Sequence, residues 1–438
     1  MKQGVRKAAS VAAVVVGVGL GIVYYRGIHP DHFPAVPTHA LSSPNAFDYF
    51  QRAGDGAEGD LTRGQSLGVP AGTMSGNLLQ YTPAQQAEVL RAVAPDLATL
   101  RQGFAYPYVN PPIRDWDAKL LYYPRFRALA RILELEGSVK AAHGDWAGAA
   151  SSYLDAIQIG TGIPHGSETN GFLVGVACEG LGRRNLWKTI PHLTAAEAKA
   201  AQLRLTRIES NREPLSNIFG EEKYKTQATL LRYYTKSDWA SAITEDLFRG
   251  STVPGVGIAK AMLVVSLKFL GKQKEFDQFT RYEDAVIKQV SSPYAAKAQM
   301  QRVPVDPVTN TSCDLNNWDP YASGAYCQFM DAKAQSQSSL LIVELALRQY
   351  YIGHGMYPVS LPGLVPEYLP SVPVDVFVLS GKAGPALKYR RTGSTYLLYS
   401  VGPDGVDNHG TPIAALPGSK VAYVYSDSKG DVVAGVNL

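Results

Sequence analysis

The chain has 438 residues, a formal net charge of +4, 45% hydrophobic and 18% charged residues, which excludes a disordered polymer and leaves room for two or three globular domains. Its basic residues are scattered, the densest groups being Arg183, Arg184 and Lys188, then Lys388, Arg390 and Arg391. No stripe of them alternates with aromatics, so they read as solvated faces and no nucleic-acid surface is expected.

Residues 8–25 (AASVAAVVVGVGLGIVYY) carry no charge and, at 1.5 Å per residue, reach about 27 Å, close to the hydrocarbon thickness of a bilayer. Lys2, Arg6 and Lys7 precede this run and only Arg26 follows it closely, a bias that puts the N-terminus in the cytoplasm. Residues 1–27 are therefore expected to be a cytoplasmic N-terminus and a transmembrane helix in a bacterial inner membrane, with the rest extracytoplasmic (periplasmic). A cleaved signal peptide is the competing reading, although Tyr24, Tyr25 and Arg26 offer no small-residue cleavage site. Gly17 and Gly21 form a GxxxG spacing that lets two helices approach as a homodimer; a helix that merely contains glycine is the alternative.

Residues 41–292 read as a helical domain. Ser43 ahead of Pro44 opens a short helix over 41–53, the glycine-rich stretch 54–76 reads as a loop, and Thr82-Pro83 starts a helix reaching about Gln102. A hairpin follows over 125–159, with Leu129, Ile132, Leu133 and Leu135 on one helix, His143-Gly144-Asp145 in the turn, and Ala149, Tyr153 and Ala156 on the other. Gly137, Ala149, Tyr153 and Ala156 resemble the small and aromatic positions of a tetratricopeptide repeat, but no second copy follows at its period, so a single repeat-like hairpin in an irregular bundle is expected. More helices are expected over 172–190, 195–210, 214–235 and 272–290, the second opened by a Thr194/Glu197 capping box. Lys260 and Lys268 interrupt the apolar stretch 254–270, which reads as a buried or interface helix.

Residues 293–327 form a loop-rich connector. It contains Cys313 and Cys327, close enough in sequence to close a loop for which a disulfide contributes about 3 kcal/mol; Cys178, among Val174, Val176 and Ala177, reads as a buried thiol.

Residues 328–438 read as an α+β module: an apolar helix over 336–353, then strands near 387–391, 396–400 and 421–425, with a turn at Thr392-Gly393-Ser394. The succession of Leu347-Arg348-Gln349-Tyr350-Tyr351, Tyr357-Pro358, Pro366-Glu367-Tyr368-Leu369-Pro370, Pro373-Val374-Asp375, Tyr389, Tyr396 and Ser400-Val401-Gly402-Pro403-Asp404-Gly405 resembles the globular part of type II secretion major pseudopilins. It resembles still more the membrane-anchored bacterial proteins that carry such a module at the C-terminus. The likeness spans about residues 335–433 and departs from the pattern at Asp375-Val376-Phe377, where an Asp-Pro-aromatic is usual. It implies a helix on a small antiparallel sheet, with calcium in the loop after Ser400. Ca²⁺ takes six to eight oxygens, and Asp404, Asp407 and Asn408 could supply some, with Asp431 in the position of the family's returning acid. An ordinary Pro-Asp-Gly turn is the alternative, and the closing Glu of an EF-hand is absent. A pilin subunit itself is not expected, because the anchor is far from the module.

No HExxH, GxSxG, P-loop or Cys-x-x-Cys occurs. Ser167 and Glu168 read as capping residues and Ser426-Asp427-Ser428-Lys429 as a polar turn, so no catalytic residue is assigned. The function expected from sequence is a membrane-anchored binding or scaffold protein with a protein partner. An accessory component of a secretion or pilus-like assembly, and an extracytoplasmic hydrolase with an unrecognised site, are the alternatives.

Overall fold

A computed structural model describes residues 31–64, 76–249, 256–294, 320–378, 386–418 and 421–437. Its helices are α1 (Ala46–Gly64), α2 (Pro83–Ala92), α3 (Ala94–Gly103), α4 (Tyr122–Ala142), α5 (Trp146–Gly162), α6 (Thr169–Thr189), α7 (Ala195–Ser210), α8 (Leu215–Tyr234), α9 (Trp239–Leu247), α10 (Val256–Leu270), α11 (Lys272–Val290) and α12 (Pro320–His354). A three-stranded antiparallel sheet follows, β1 (Lys388–Thr392), β2 (Thr395–Ser400) and β3 (Val432–Val433), in the order β1-β2-β3.

The expectation of an α+β chain with a membrane-crossing helix is corrected on two counts. Helix dominates the described residues, the sheet being three short strands, and no described helix is long and apolar enough to cross a membrane. The single-pass, inner-membrane reading therefore gains nothing from the fold; residues 8–25, on which it rested, and Gly17 and Gly21 lie outside the described residues. Helix α10, the most apolar described helix, spans only 15 residues and carries Lys260 and Lys268, too short and too charged for a bilayer.

In α1 the glycines act differently from the expected loop. A Cβ at Gly54 would lie 2.9 Å from Arg125 Cβ, and one at Gly56 would lie 2.0 Å from Asp96 Oδ1. These glycines keep the helix surface flat where α4 and α3 cross it, while Ala53, Ala57 and Leu61 continue the buried face of Phe50. Helix continuity is fixed here by partners distant in sequence, which outweigh a propensity cost of about 1 kcal/mol per glycine. The helix expected over 82–102 is broken at Val93 (φ −94°, ψ 4°), two residues before Pro95, which supplies no N–H. Its first half opens on a capping box of Thr82 and Gln85, and α7 opens on the Thr194/Glu197 box read from sequence.

Helices α4 and α5 form the expected hairpin, with Asp145 Oδ1 accepting from Gly148 N (2.8 Å). A Cβ on Gly137 would lie 2.4 Å from the Tyr153 ring, so the tyrosine fills the notch its glycine partner leaves. The crossing of α5 and α6 is tighter still. A Cβ at Gly175 would lie 2.4 Å from the backbone oxygen of Gly160, one at Gly160 2.5 Å from that of Gly175, and one at Gly182 2.3 Å from Tyr153 O. Backbone atoms cannot swing aside as side chains can, so Gly175→Ala is expected to cost about 2–3 kcal/mol by forcing the helices apart. Urea unfolding should detect it; an unchanged midpoint would contradict this crossing.

Helix α12 begins at Pro320, well before the expected 336, so the boundary expected at 328 falls inside it. Its C-terminal half supplies Leu340, Leu341, Val343, Leu345 and Leu347 to one core that also contains Leu186, Leu193 and Leu205 from the helical body and Leu398, Val401 and Val432 from the sheet region. About 25 cal/mol per Å² of apolar area favours this burial, and it couples the module to the body. The segment expected as a strand over 421–425 is irregular: Tyr425 N donates to Ser428 Oγ (2.9 Å), and β2 pairs instead with Val432 and Val433.

Candidate functional site

The corner after β2 is held by a residue to which sequence reasoning gave no role. Asp375 is 1% exposed and accepts from Ser400 Oγ (2.7 Å), Val401 N (2.8 Å) and Phe377 N (3.1 Å). Burial raises its pKa, and these donors oppose the rise. Gly402 adopts φ +77° where a Cβ would lie 2.4 Å from Gly430 O, so only glycine lets these two backbone segments approach there.

The four residues expected to bind calcium lie around this corner. Asp431 is buried, and its carboxylate accepts from Asn408 N (3.1 Å) and Gly410 N (2.6 Å). Burial raises its pKa, the two N–H groups oppose that, and Asp407 and Asp404 raise it further. Asp404 accepts from Val406 N (3.1 Å) and Gly430 N (3.4 Å). Asp407 is turned toward Tyr399 OH (3.0 Å), His409 N (2.9 Å) and Lys388 Nζ (3.2 Å). Although burial opposes it, these donors hold the Asp407 carboxyl below the usual range. Among the described residues no three His, Cys, Asp or Glu side chains are grouped to hold a metal ion. The carboxylates are satisfied by protein donors, whereas Asn408 Oδ1 is buried with no hydrogen-bond partner.

Cys327 lies in α12, not in a loop, and is buried against Phe172, Phe219 and Val286; Cys313 lies outside the described residues. Cys178 is buried, and that burial pushes its thiol up to about 12, an unreactive thiol. Ser167 donates to Pro164 O (3.0 Å), and Glu168 accepts from Asn170 N (2.7 Å) as the N-cap of α6, an arrangement that ends a turn and starts a helix.

A cavity that sequence reasoning missed lies between α6 and α12. It measures ≈ 440 Å³, within the range of small-molecule sites. Leu173, Val176, Ala177, Leu181, Met330 and Ala334 make its apolar walls, Tyr326 and Tyr423 stand at its rim, and Arg183, Arg184, Lys333 and Gln337 supply its polar groups. Arg183 is 3% exposed and Gln337 5% exposed, and both Arg183 Nε and Gln337 Nε2 are buried without a hydrogen-bond partner. An unmet buried donor costs about 1–3 kcal/mol, and neither atom has surface open to the cavity.

The reading of Arg183 and Arg184 as a solvated face is corrected in part. Arg183 is buried and paired through Nη1 with Glu179, which also accepts from Arg212 Nη2 (2.6 Å). Arg212 reaches Glu209 (2.9 Å) and Asp331 (3.5 Å), tying α6, α7 and α12 together. Arg184 pairs with Glu134 (2.9 Å). Lys333 donates to Val424 O (3.2 Å), and burial, with the positive charge of Arg183, lowers its pKa to about 8. Three cations and no acid line the cavity.

The sequence signals for this site were faint. Lys333 between Ala332 and Ala334, and Gly180 on the same helix as Arg183 and Arg184, were present, but only the helix packing brings them to one cleft. No family description, no curated protein and no solved structure matches this chain.

Proposed function

We propose that this chain is a binding protein: a helical scaffold, joined through α12 to a small sheet module, that takes its ligand in the cleft between α6 and α12. The observation that carries this reading is the cavity of ≈ 440 Å³ itself, whose apolar walls are joined by the polar side chains of Arg184 and Lys333. Apolar walls with a few convergent polar groups are what small-ligand sites require. A Cβ at Gly180, which lines the cavity, would meet no atom within 4 Å, so Gly180→Phe fills the cleft from a helix position that loses nothing by gaining a side chain. In a thermal-shift screen of small amphiphiles, ligands that raise the melting temperature of the full chain are expected to lose that effect in Gly180→Phe. Ligands that act equally on both proteins would place binding elsewhere and overturn this reading.

The unpartnered Asn408 Oδ1 favours a second reading, in which calcium seats at the corner after β2. Asn408 would contribute that oxygen, and Asp404, Asp407 and Asp431 are the carboxylates that would turn from their N–H partners to the cation, since Ca²⁺ needs six or more oxygens. At ~1 mM CaCl₂, a concentration suited to weak sites, the melting temperature of the full chain should rise by a few degrees, revert with a chelator and not rise in Asp404→Asn. No change on adding calcium ends this reading.

A further inference from the structure

We infer that the outer face of α10 is a docking surface whose occupant is the chain's own apolar run, residues 8–25. The cleft between α6 and α12 plays no part in it.

The face itself is the first argument. Leu263 and Leu267 turn α10 inward, where they share a core with Tyr234, Trp239 and Phe276. The opposite side of such a surface helix is ordinarily polar. Here Met262 is 65% exposed and Val265 68% exposed, with Gly257 and Ala261 exposed on the preceding turns. A Cβ at Gly257 would meet no atom within 4 Å, so this side of the helix is open along its length. An apolar strip of this kind on a protein surface marks a contact site.

Position names the occupant. The described chain enters beside α10: His32 N donates to Gln273 Oε1 (2.6 Å), two residues beyond the Gly271 that separates α10 from α11. The Phe33 ring then lies 5.3 Å from Tyr234 and 5.2 Å from Phe276, packed on the core that holds Leu263 and Leu267. From Tyr25 to His32 is seven residue steps, a reach of at most about 25 Å, and α10 is about 22 Å long. The end of the run at Tyr25 is therefore tethered within reach of the strip. No other segment outside the described residues has such a run, since 65–75 and 295–319 are broken by glycine, proline and polar residues.

Charge agrees. Lys260, the cation of α10 beside the strip, is turned to Glu245 (2.7 Å), and Lys268 lies three residues beyond Val265, toward the end of the helix. The strip thus calls for an uncharged partner, and residues 8–25 carry no charge. An anionic lipid surface would instead favour a border of cations, whereas the Glu245 that borders this strip is 70% exposed. Laid back from His32, the run passes α10 from its C-terminal toward its N-terminal end and brings Lys2, Arg6 and Lys7 to the side of that glutamate.

The test is photocrosslinking of the full chain with a benzophenone on Ser266→Cys, an exposed position next to Val265, with Cys313→Ser so that the other thiols, Cys178 and Cys327, are buried ones. It is run in detergent-free buffer and in vesicles of phosphatidylcholine and phosphatidylglycerol. In both, adducts are expected on residues 8–25 of the same chain, at monomer mass and unchanged by tenfold dilution. Met262→Glu combined with Val265→Glu, at two exposed positions, should cut that yield at least tenfold. It should also speed chymotryptic cleavage after Tyr24 and Tyr25 at least tenfold, with the circular dichroism spectrum kept. Adducts to lipid or to a second copy in place of residues 8–25, no adduct, or equal cleavage in the two proteins would overturn the inference.

Discussion

Asp375→Ala is expected to destabilise the chain by about 3–5 kcal/mol, because it strands Ser400 Oγ, Val401 N and Phe377 N in a buried corner, each of which now donates to the carboxylate. Water cannot follow the deleted group into a site whose residue is 1% exposed, so the loss is larger than for a hydrogen bond exchanged with solvent. Asp375→Asn, which keeps an oxygen and replaces the other by a donor, should cost less but still weaken the corner. Asp407→Ala is the contrasting case: its side chain is 32% exposed and pairs with a Lys388 that is 38% exposed, so it should cost under about 1 kcal/mol. Urea denaturation of the full chain measures all three. Equal losses for Asp375→Ala and Asp407→Ala would contradict the corner's assignment to Asp375.

The second large effect is a fall in stability between pH 5 and pH 8. Burial pushes Glu283 up to about 8, with Glu222 adding repulsion and Lys225 and Lys223 opposing it. Burial also pushes Glu344 and Glu275 up to about 7, opposed by the hydroxyls of Tyr396 and Tyr234. Because these folded-state values lie above the ordinary 4.5 for glutamate, the folded chain holds protons that the unfolded chain releases. That stabilisation is fully present below about 4.5 and is lost as pH rises through 7 and 8. Each group contributes up to several kcal/mol over that interval, on the order of 1.4 kcal/mol for each tenfold difference in proton affinity. The carboxyls held low, such as Glu136 and Asp407, act only below this window and with opposite sign. Lys333, lowered to about 8, acts above it. The melting temperature should drop by several degrees from pH 5.5 to pH 8, and Glu283→Gln should flatten part of the drop. A flat or rising profile would contradict the burial of these glutamates.

Where local chemistry decides a structure, the sequence was legible. The Thr194/Glu197 box, the Asp145 turn and the packing of Tyr153 on its small neighbours are local or one helix apart, and the structure places them as expected. Gly54 and Gly56 were misread because their meaning lies in Arg125 and Asp96, tens of residues away, which require a helix surface without side chains. Residues 421–425 looked like a strand by composition, but β2 takes its hydrogen bonds from Val432 and Val433 and leaves Val424 to accept from Lys333. The acidic loop residues drew attention by composition, whereas Asp375, a single acid in a proline-flanked segment, carries three hydrogen bonds there. The cleft was invisible for the same reason: Arg183 and Gln337 are ordinary helix residues until α6 and α12 are laid side by side. One buried and two half-buried glutamates, and two orphan donors, are thus products of tertiary packing, which no spacing pattern encodes.

The most direct test of the binding cleft is photolabelling of the full chain with a small amphiphile that carries a diazirine on its tail, followed by mapping of adducts by mass spectrometry. Binding between α6 and α12 predicts saturable adducts on residues 173–184 and 326–337, competed by the unlabelled amphiphile and absent in Gly180→Phe. Adducts spread over other helices, or unchanged in Gly180→Phe, would contradict it.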